Sequence, residues 1–119
     1  MISRKTGCVI NVSSVWGQTG GSCEVLYSST KGALISFTKA LAKELALSGV
    51  AVNCISPGVV DTDMMKRFTE DEKKLLAEEI PSGRFVEADE IAALALFLAE
   101  NVSVSLTGQV FGINGGMYC

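Results

Sequence analysis

The stretch Gly7-Cys8-Val9-Ile10-Asn11-Val12-Ser13-Ser14-Val15-Trp16-Gly17-Gln18-Thr19-Gly20-Gly21-Ser22-Cys23-Glu24-Val25-Leu26-Tyr27-Ser28-Ser29-Thr30-Lys31 decides how the rest of the chain is read. Residues 7–13 are short, apolar and rich in β-branched side chains, the pattern of a strand buried on both faces. Gly17, Gly20 and Gly21 mark Ser14 to Glu24 as a loop. From about Val25 the spacing predicts a long helix to about Leu47. Ala33, Leu34, Phe37, Ala40, Leu41 and Leu45 form its apolar face, and Ser29, Ser36, Lys39 and Lys43 its wet one. Ser48-Gly49 stops it, because glycine tolerates a positive φ. Tyr27 and Lys31 sit one turn apart on a shared helix face. An ammonium beside a phenol favours the phenolate, which equips Tyr27 for general acid and base work on a carbonyl oxygen.

Downstream, Val50-Ala51-Val52-Asn53-Cys54-Ile55 reads as a second buried strand, stopped by Ser56-Pro57-Gly58. Thr69-Glu70-Asp71-Glu72 fits a capping box opening an amphipathic helix that runs to about Glu79, before Pro81. A further helix, from about Asp89 to Ala99, is apolar on most of its circumference and is expected to be buried on several sides. Gln109 to Ile113 is a third strand, and Asn114-Gly115-Gly116 the turn after it. Strands alternating with helices predict right-handed parallel crossovers, an α/β fold matching half of a doubly wound sheet. No repeat, low-complexity tract or linker divides residues 1–119, so they read as a single partial domain.

Composition removes several function classes. Thirteen acidic against ten basic residues give a formal charge of −3, and the cations form no stripe, which argues against nucleic acid as a partner. The longest apolar run, Ile91 to Ala99, has nine residues, against the roughly twenty needed to cross a bilayer. Met1-Ile2-Ser3-Arg4-Lys5-Thr6 leads into no apolar signal core, and a cytoplasmic location is expected. Cys8, Cys23, Cys54 and Cys119 lack metal-site spacing and the chain has no histidine, so neither a zinc site nor a serine-histidine triad is expected.

Singly, Ser14 reads as an ordinary turn residue, and Tyr27 with Lys31 as a core-edge tyrosine beside a snorkelling lysine. Together, a serine, twelve residues, a tyrosine, three residues and a lysine resemble the signature of the short-chain dehydrogenase/reductase family. The resemblance covers the whole chain, which looks like the C-terminal half of such an enzyme with its Rossmann-like sheet. It implies that Ser14 hydrogen-bonds the substrate carbonyl, that Tyr27 supplies the proton, and that Lys31 assists Tyr27 and binds the nicotinamide ribose. Ser13 is a near miss, and the spacing to Tyr27 selects Ser14.

Pro57-Gly58-Val59-Val60-Asp61-Thr62-Asp63-Met64 could be a Pro-Gly turn and a capped helix start. The resemblance makes it a cofactor loop. Pro57 and Gly58 would let the backbone approach the nicotinamide, Val60 would offer its backbone to the carboxamide, and Thr62 would bind the carboxamide or phosphates. Met65 to Ile80 would be a mobile substrate lid, although a plain surface helix has the same pattern. Leu106-Thr107-Gly108-Gln109 and Asn114-Gly115-Gly116-Met117 resemble the family's last strand and final turn, with a structural role. The implied cofactor is NADP, with NAD possible. The family's Gly-x-x-x-Gly-x-Gly loop, Asn-Asn-Ala-Gly stretch and catalytic asparagine are not found, so the N-terminal cofactor-binding half is expected to be missing and the chain alone inactive.

Within the family, the Ile-Asn-Gly-Gly-Met-Tyr end resembles 3-oxoacyl-[acyl-carrier-protein] reductases, with a small-molecule or carrier-bound carbonyl as substrate. The loop from Trp16 to Val25, with residues 79–84, also resembles a reductase of the 5-aminopentanone group on elongation factor P. Glu24 near the mouth would suit that amine. The alanine-lined Tyr27 helix and the C-terminal end imply a homo-oligomer. A non-catalytic piece that acts only by association is the alternative from another class.

Overall fold

A computed structural model describes residues 1–100 and 103–119. Three strands, β1 (Gly7–Val12), β2 (Val50–Pro57) and β3 (Val110–Ile113), form a parallel sheet in the order β1-β2-β3. Gly7 lies opposite Val50 and Val12 opposite Ile55, while Cys54 to Pro57 face Val110 to Ile113. Between β1 and β2 run a five-residue helix, α1 (Val15–Thr19), and the long α2 (Val25–Leu45). Between β2 and β3 lie α3 (Glu70–Glu78) and α4 (Ala88–Glu100).

Alternation along β1 shows that the helices cover both faces of the sheet. Val9 packs against the cluster of Ala42, Val50 and Val52 with Leu41 and Leu45 of α2, whereas the adjacent Cys8 thiol donates to the Leu98 carbonyl of α4 at 3.5 Å. Successive side chains of a strand point to opposite faces, so α2 and α4 sandwich the sheet. β2 is buried along its whole length, as a central parallel strand must be. Its Asn53 donates to the Leu106 carbonyl at 2.7 Å and accepts from the Gln109 N–H at 3.0 Å, which ties the approach to β3 onto the sheet.

Three sequence expectations need correction. β1 is only half-buried and Val12 is 47% exposed, because among the described residues β1 pairs with β2 alone and lies at an edge. On α4, Leu98 is buried but Leu96 and Phe97 are more than half exposed, so this apolar helix is covered on one side only. The inner face of α2 centres on Thr38 and Ala42, with Leu34, Leu41 and Leu45 half-buried, while Ala33, Phe37 and Ala40 face outward. Thr38 fits inside because its hydroxyl is satisfied: it donates to the Leu34 carbonyl at 2.7 Å and accepts from Asn11 Nδ2 at 2.9 Å. A 3-10 turn at Ala46–Ser48 and Gly49, with φ of 66°, end this helical run.

Candidate active site

At the carboxyl end of β1 the chain is extended at Ser14 and then turns into α1, a helix too short to show a period in sequence. Ser14 caps it: the hydroxyl oxygen accepts from the Trp16 N–H at 3.2 Å. Capping uses an acceptor lone pair, so the hydroxyl proton remains available to donate. Ser13, the near miss, has a different task. It is buried, and its hydroxyl donates to the Lys31 carbonyl at 2.7 Å, joining the end of β1 to the middle of α2.

Gly17, expected as a loop glycine, is where α1 lies on α2. A Cβ there would come 2.6 Å from Ser13 Oγ and 2.8 Å from the Lys31 carbonyl carbon. The missing side chain brings the Ser14 helix against the Tyr27 helix. One turn after Tyr27, Lys31 places its ammonium 5.8 Å from the phenol ring centroid and donates to the Val12 carbonyl at 3.1 Å. Tyr27 is 44% exposed and stands at the mouth of the site.

The segment after β2 forms the opposite wall. Gly58 donates its N–H to the Ile113 carbonyl at 3.0 Å, and a Cβ on it would stand 2.8 Å from Asn114 Cα. Packing against the C-terminal turn therefore demands glycine here, a reason distinct from backbone approach to a ligand. Val60 forms a parallel bridge with Val86: the Val86 N–H donates to the Val59 carbonyl at 2.8 Å and the Asp61 N–H to the Val86 carbonyl at 2.9 Å. Peptide groups alternate in direction along an extended chain, so the N–H and C=O of Val60 itself point away from Val86. Thr62 precedes a 3-10 turn (Asp63–Arg67), its carbonyl accepting from the Met65 N–H at 2.8 Å. Beyond it α3 opens with the expected Thr69–Glu72 capping box. Its body is exposed or half-buried, between buried Met65 and Ile80.

Ser14, Tyr27, Lys31, Pro57, Gly58, Val60 and Thr62 all line one open pocket of about 350 Å³, with Ala88 and Ile91 of α4 completing the wall. It lies beyond the carboxyl ends of β1 and β2, where open parallel sheets place their ligands. A hydroxyl, a phenol and an ammonium on one pocket can stabilise negative charge developing on an oxygen placed among them. A second depression of about 390 Å³, between α2 and residues 107–109, is lined by Lys39, Lys43 and alanines and lacks such a set.

Several residues that shape the pocket carry no signal in sequence. Ser56, fully buried, donates to Gln18 Oε1 at 2.6 Å and links α1 to the root of the 57–62 loop. Arg84 reaches Glu90 with two parallel bonds of 2.8 and 2.9 Å, and these bonds hold the Glu90 carboxyl down at about 2. Burial pushes the Cys54 thiol above its ordinary value, with the Lys31 charge acting in the opposite sense.

The chain and its fold have counterparts in known proteins. The chain is 53% identical over its whole length to an uncharacterized oxidoreductase, YmfI, of Bacillus subtilis (strain 168), covering 49% of that protein. Over 99% of its length it is 46% identical to the 3-oxoacyl-[acyl-carrier-protein] reductase FabG of Aquifex aeolicus (strain VF5), covering 48% of it. The fold superposes on an actinorhodin polyketide ketoreductase crystallised with NADPH at a TM-score of 0.92 and 31% identity, over 98% of this chain and 49% of that one. The chain thus spans about half the length of the relatives it matches. A family model described as Enoyl-(Acyl carrier protein) reductase matches residues 1–118, and on that match the chain belongs to the short-chain dehydrogenase/reductase family.

Proposed function

We propose that this chain is the catalytic half of an NADPH-dependent carbonyl reductase acting on a 3-oxoacyl group held by a carrier. The observation that carries the proposal is the gathering of Ser14, Tyr27, Lys31 and the 57–62 loop around one pocket. The named substrate of the FabG relative and the NADPH of the ketoreductase structure support the choice of substrate and cofactor. Ser14 donates to the substrate oxygen, Tyr27 holds and delivers the proton, and Lys31 sets a positive charge 5.8 Å from the phenol ring, beside the oxygen on which negative charge develops.

The pocket also suits the nicotinamide end of the cofactor, which when bound supplies the hydride. One N–H of the Lys31 ammonium is used by the Val12 carbonyl, and the others remain for a ribose diol. The outward peptide groups of Val60 suit a carboxamide, with Pro57, Gly58 and Thr62 beside them. The pyrophosphate and adenosine contacts are assigned to the half that the relatives carry beyond the matched region.

The assay is NADPH oxidation with a 3-oxoacyl thioester, and separately with an aminoketone, in a polypeptide joining this half to such a partner half. Tyr27→Phe should lower kcat by about 10²–10⁴-fold, the range expected for loss of general acid-base catalysis, with the fold intact. Undiminished turnover in that variant would refute the reading.

Two finer points belong to the same reading. No helix among the described residues is long and apolar enough to cross a membrane, and all four cysteines are free thiols. On α2, Leu26 is 82% and Phe37 52% exposed beside outward Ala33 and Ala40, a seam that supports self-association. Sedimentation showing only monomer at micromolar concentration would remove the oligomer.

A further inference from the structure

We propose that Arg84 and Glu90 are positioning residues that aim the Val60 peptide group at the nicotinamide carboxamide, an inference that rests on the functional reading above. Val60 is held from behind by Val86, through the Val59 carbonyl on one side and the Asp61 N–H on the other. Whatever sets the place of Val86 therefore sets the direction of the Val60 N–H and C=O.

One carboxylate holds the chain on both sides of Val86. Upstream, Arg84 Nη1 and Nη2 donate to Glu90 Oε2 and Oε1 at 2.8 and 2.9 Å, and Nη1 also donates to the Phe85 carbonyl at 3.0 Å. Downstream, the Glu87 N–H donates to the same Glu90 Oε2 at 2.8 Å. Glu90 is anchored in the first turn of α4, and neighbouring Ala88 and Ile91 line the pocket. Residues 84–87 are thereby fixed to the helix that forms part of the pocket wall, with Val86 plugged into the interior.

Exposure separates this role from a purely stabilising one. The side chains of Arg84 and Glu90 are 58% and 37% exposed, and pairs so open to solvent add little to stability. A bidentate guanidinium–carboxylate contact instead imposes a plane and a direction, which a single lysine ammonium cannot do. The arrangement therefore predicts an effect on cofactor affinity that is out of proportion to any effect on melting.

The test compares Glu90→Gln, Arg84→Gln and Arg84→Lys in the polypeptide joining both halves. It measures NADPH KM, kcat, NADPH binding and amide hydrogen exchange at Asp61 and Val86. The KM should rise about fivefold in each variant, the loss of roughly one net hydrogen bond, with kcat within about twofold and faster exchange at both amides. Should Glu90→Gln fail to fold, Arg84→Lys retains the charge and removes only the fork. Unchanged exchange, or faster exchange with unchanged KM, overturns the positioning role while leaving the functional reading intact. A drop in kcat without a rise in KM also overturns it. Failure of the unsubstituted polypeptide to bind NADPH overturns the functional reading and this inference together.

Discussion

Gly17→Ala tests whether the contact between α1 and α2 sets catalytic geometry. The new methyl would stand 2.6 Å from Ser13 Oγ, 2.8 Å from the Lys31 carbonyl carbon and 3.0 Å from Lys31 Cβ. Carbon atoms prefer separations of about 3.5–4.0 Å, and the backbone inside α2 cannot yield, so α1 must retreat by roughly 0.7 Å. Overpacking of this kind costs about 1–3 kcal/mol, and the better helix propensity of alanine returns about 1 kcal/mol. The net loss of about 0–2 kcal/mol should leave the protein folded.

In the polypeptide joining both halves, turnover should respond more strongly than stability. Ser14 caps α1 while Tyr27 and Lys31 ride on α2, so the retreat opens the proposed catalytic set directly. Misplacement by about 1 Å can cost about 10²-fold in rate, and a kcat lower by about 10–100-fold is expected. The Gln18–Ser56 bond passes part of the retreat to the root of the 57–62 loop, so the NADPH KM should rise, by less than kcat falls. Gly108→Ala is the control: its φ of 72° strains any side chain, but it lies by Ala42, away from the pocket. It should lower the Tm without lowering kcat. A folded Gly17→Ala protein with the parent kcat would refute the reasoning.

Other consequences follow from burial and hydrogen bonding. Asn53→Ala leaves the Leu106 carbonyl and the Gln109 N–H without their side-chain partner; a loss of about 2–4 kcal/mol in chemical denaturation is expected, with faster amide exchange in β3. Thiol reagents should modify exposed Cys23 and Cys119 first and Cys54 only on unfolding; prompt Cys54 labelling in the folded state would contradict its burial. Because burial raises the Cys54 thiol, the unfolded chain ionises first as pH climbs past its ordinary value of 9.0, so this group's contribution to stability should fall in alkali, and Cys54→Ala should flatten the alkaline limb of a Tm–pH profile. Produced alone, residues 1–119 should associate through the open edge of β1 and show no carbonyl reduction; a stable, active monomer in light scattering and assay would count against both points.

Much of the fold was legible because local rules and the final structure agree. The β-branched runs at 7–12 and 50–55, the Thr69–Glu72 box and Gly49 each act over a few neighbouring residues. β2 extends through Ser56 and Pro57 because Gly112 and Ile113 of β3 lie opposite them, a non-local cause. The short α1 was missed for a related reason: five residues do not establish a period, and only the cap and the contact on α2 reveal the helix.

From residue order alone came the spacing of Ser14, Tyr27 and Lys31, the alternation of strands and helices, and hence the parallel α/β architecture, since hydrophobic periodicity and capping are properties of neighbours along the chain. Tertiary structure alone settled which helix faces are covered, why Gly58 must lack a side chain, and that Ser13, Val86, Arg84 and Glu90 brace the pocket walls. Apart from the Arg84–Glu90 pair, six residues apart, those contacts join residues far apart in the chain, and their existence depends on how the crossovers stack, which no local pattern encodes.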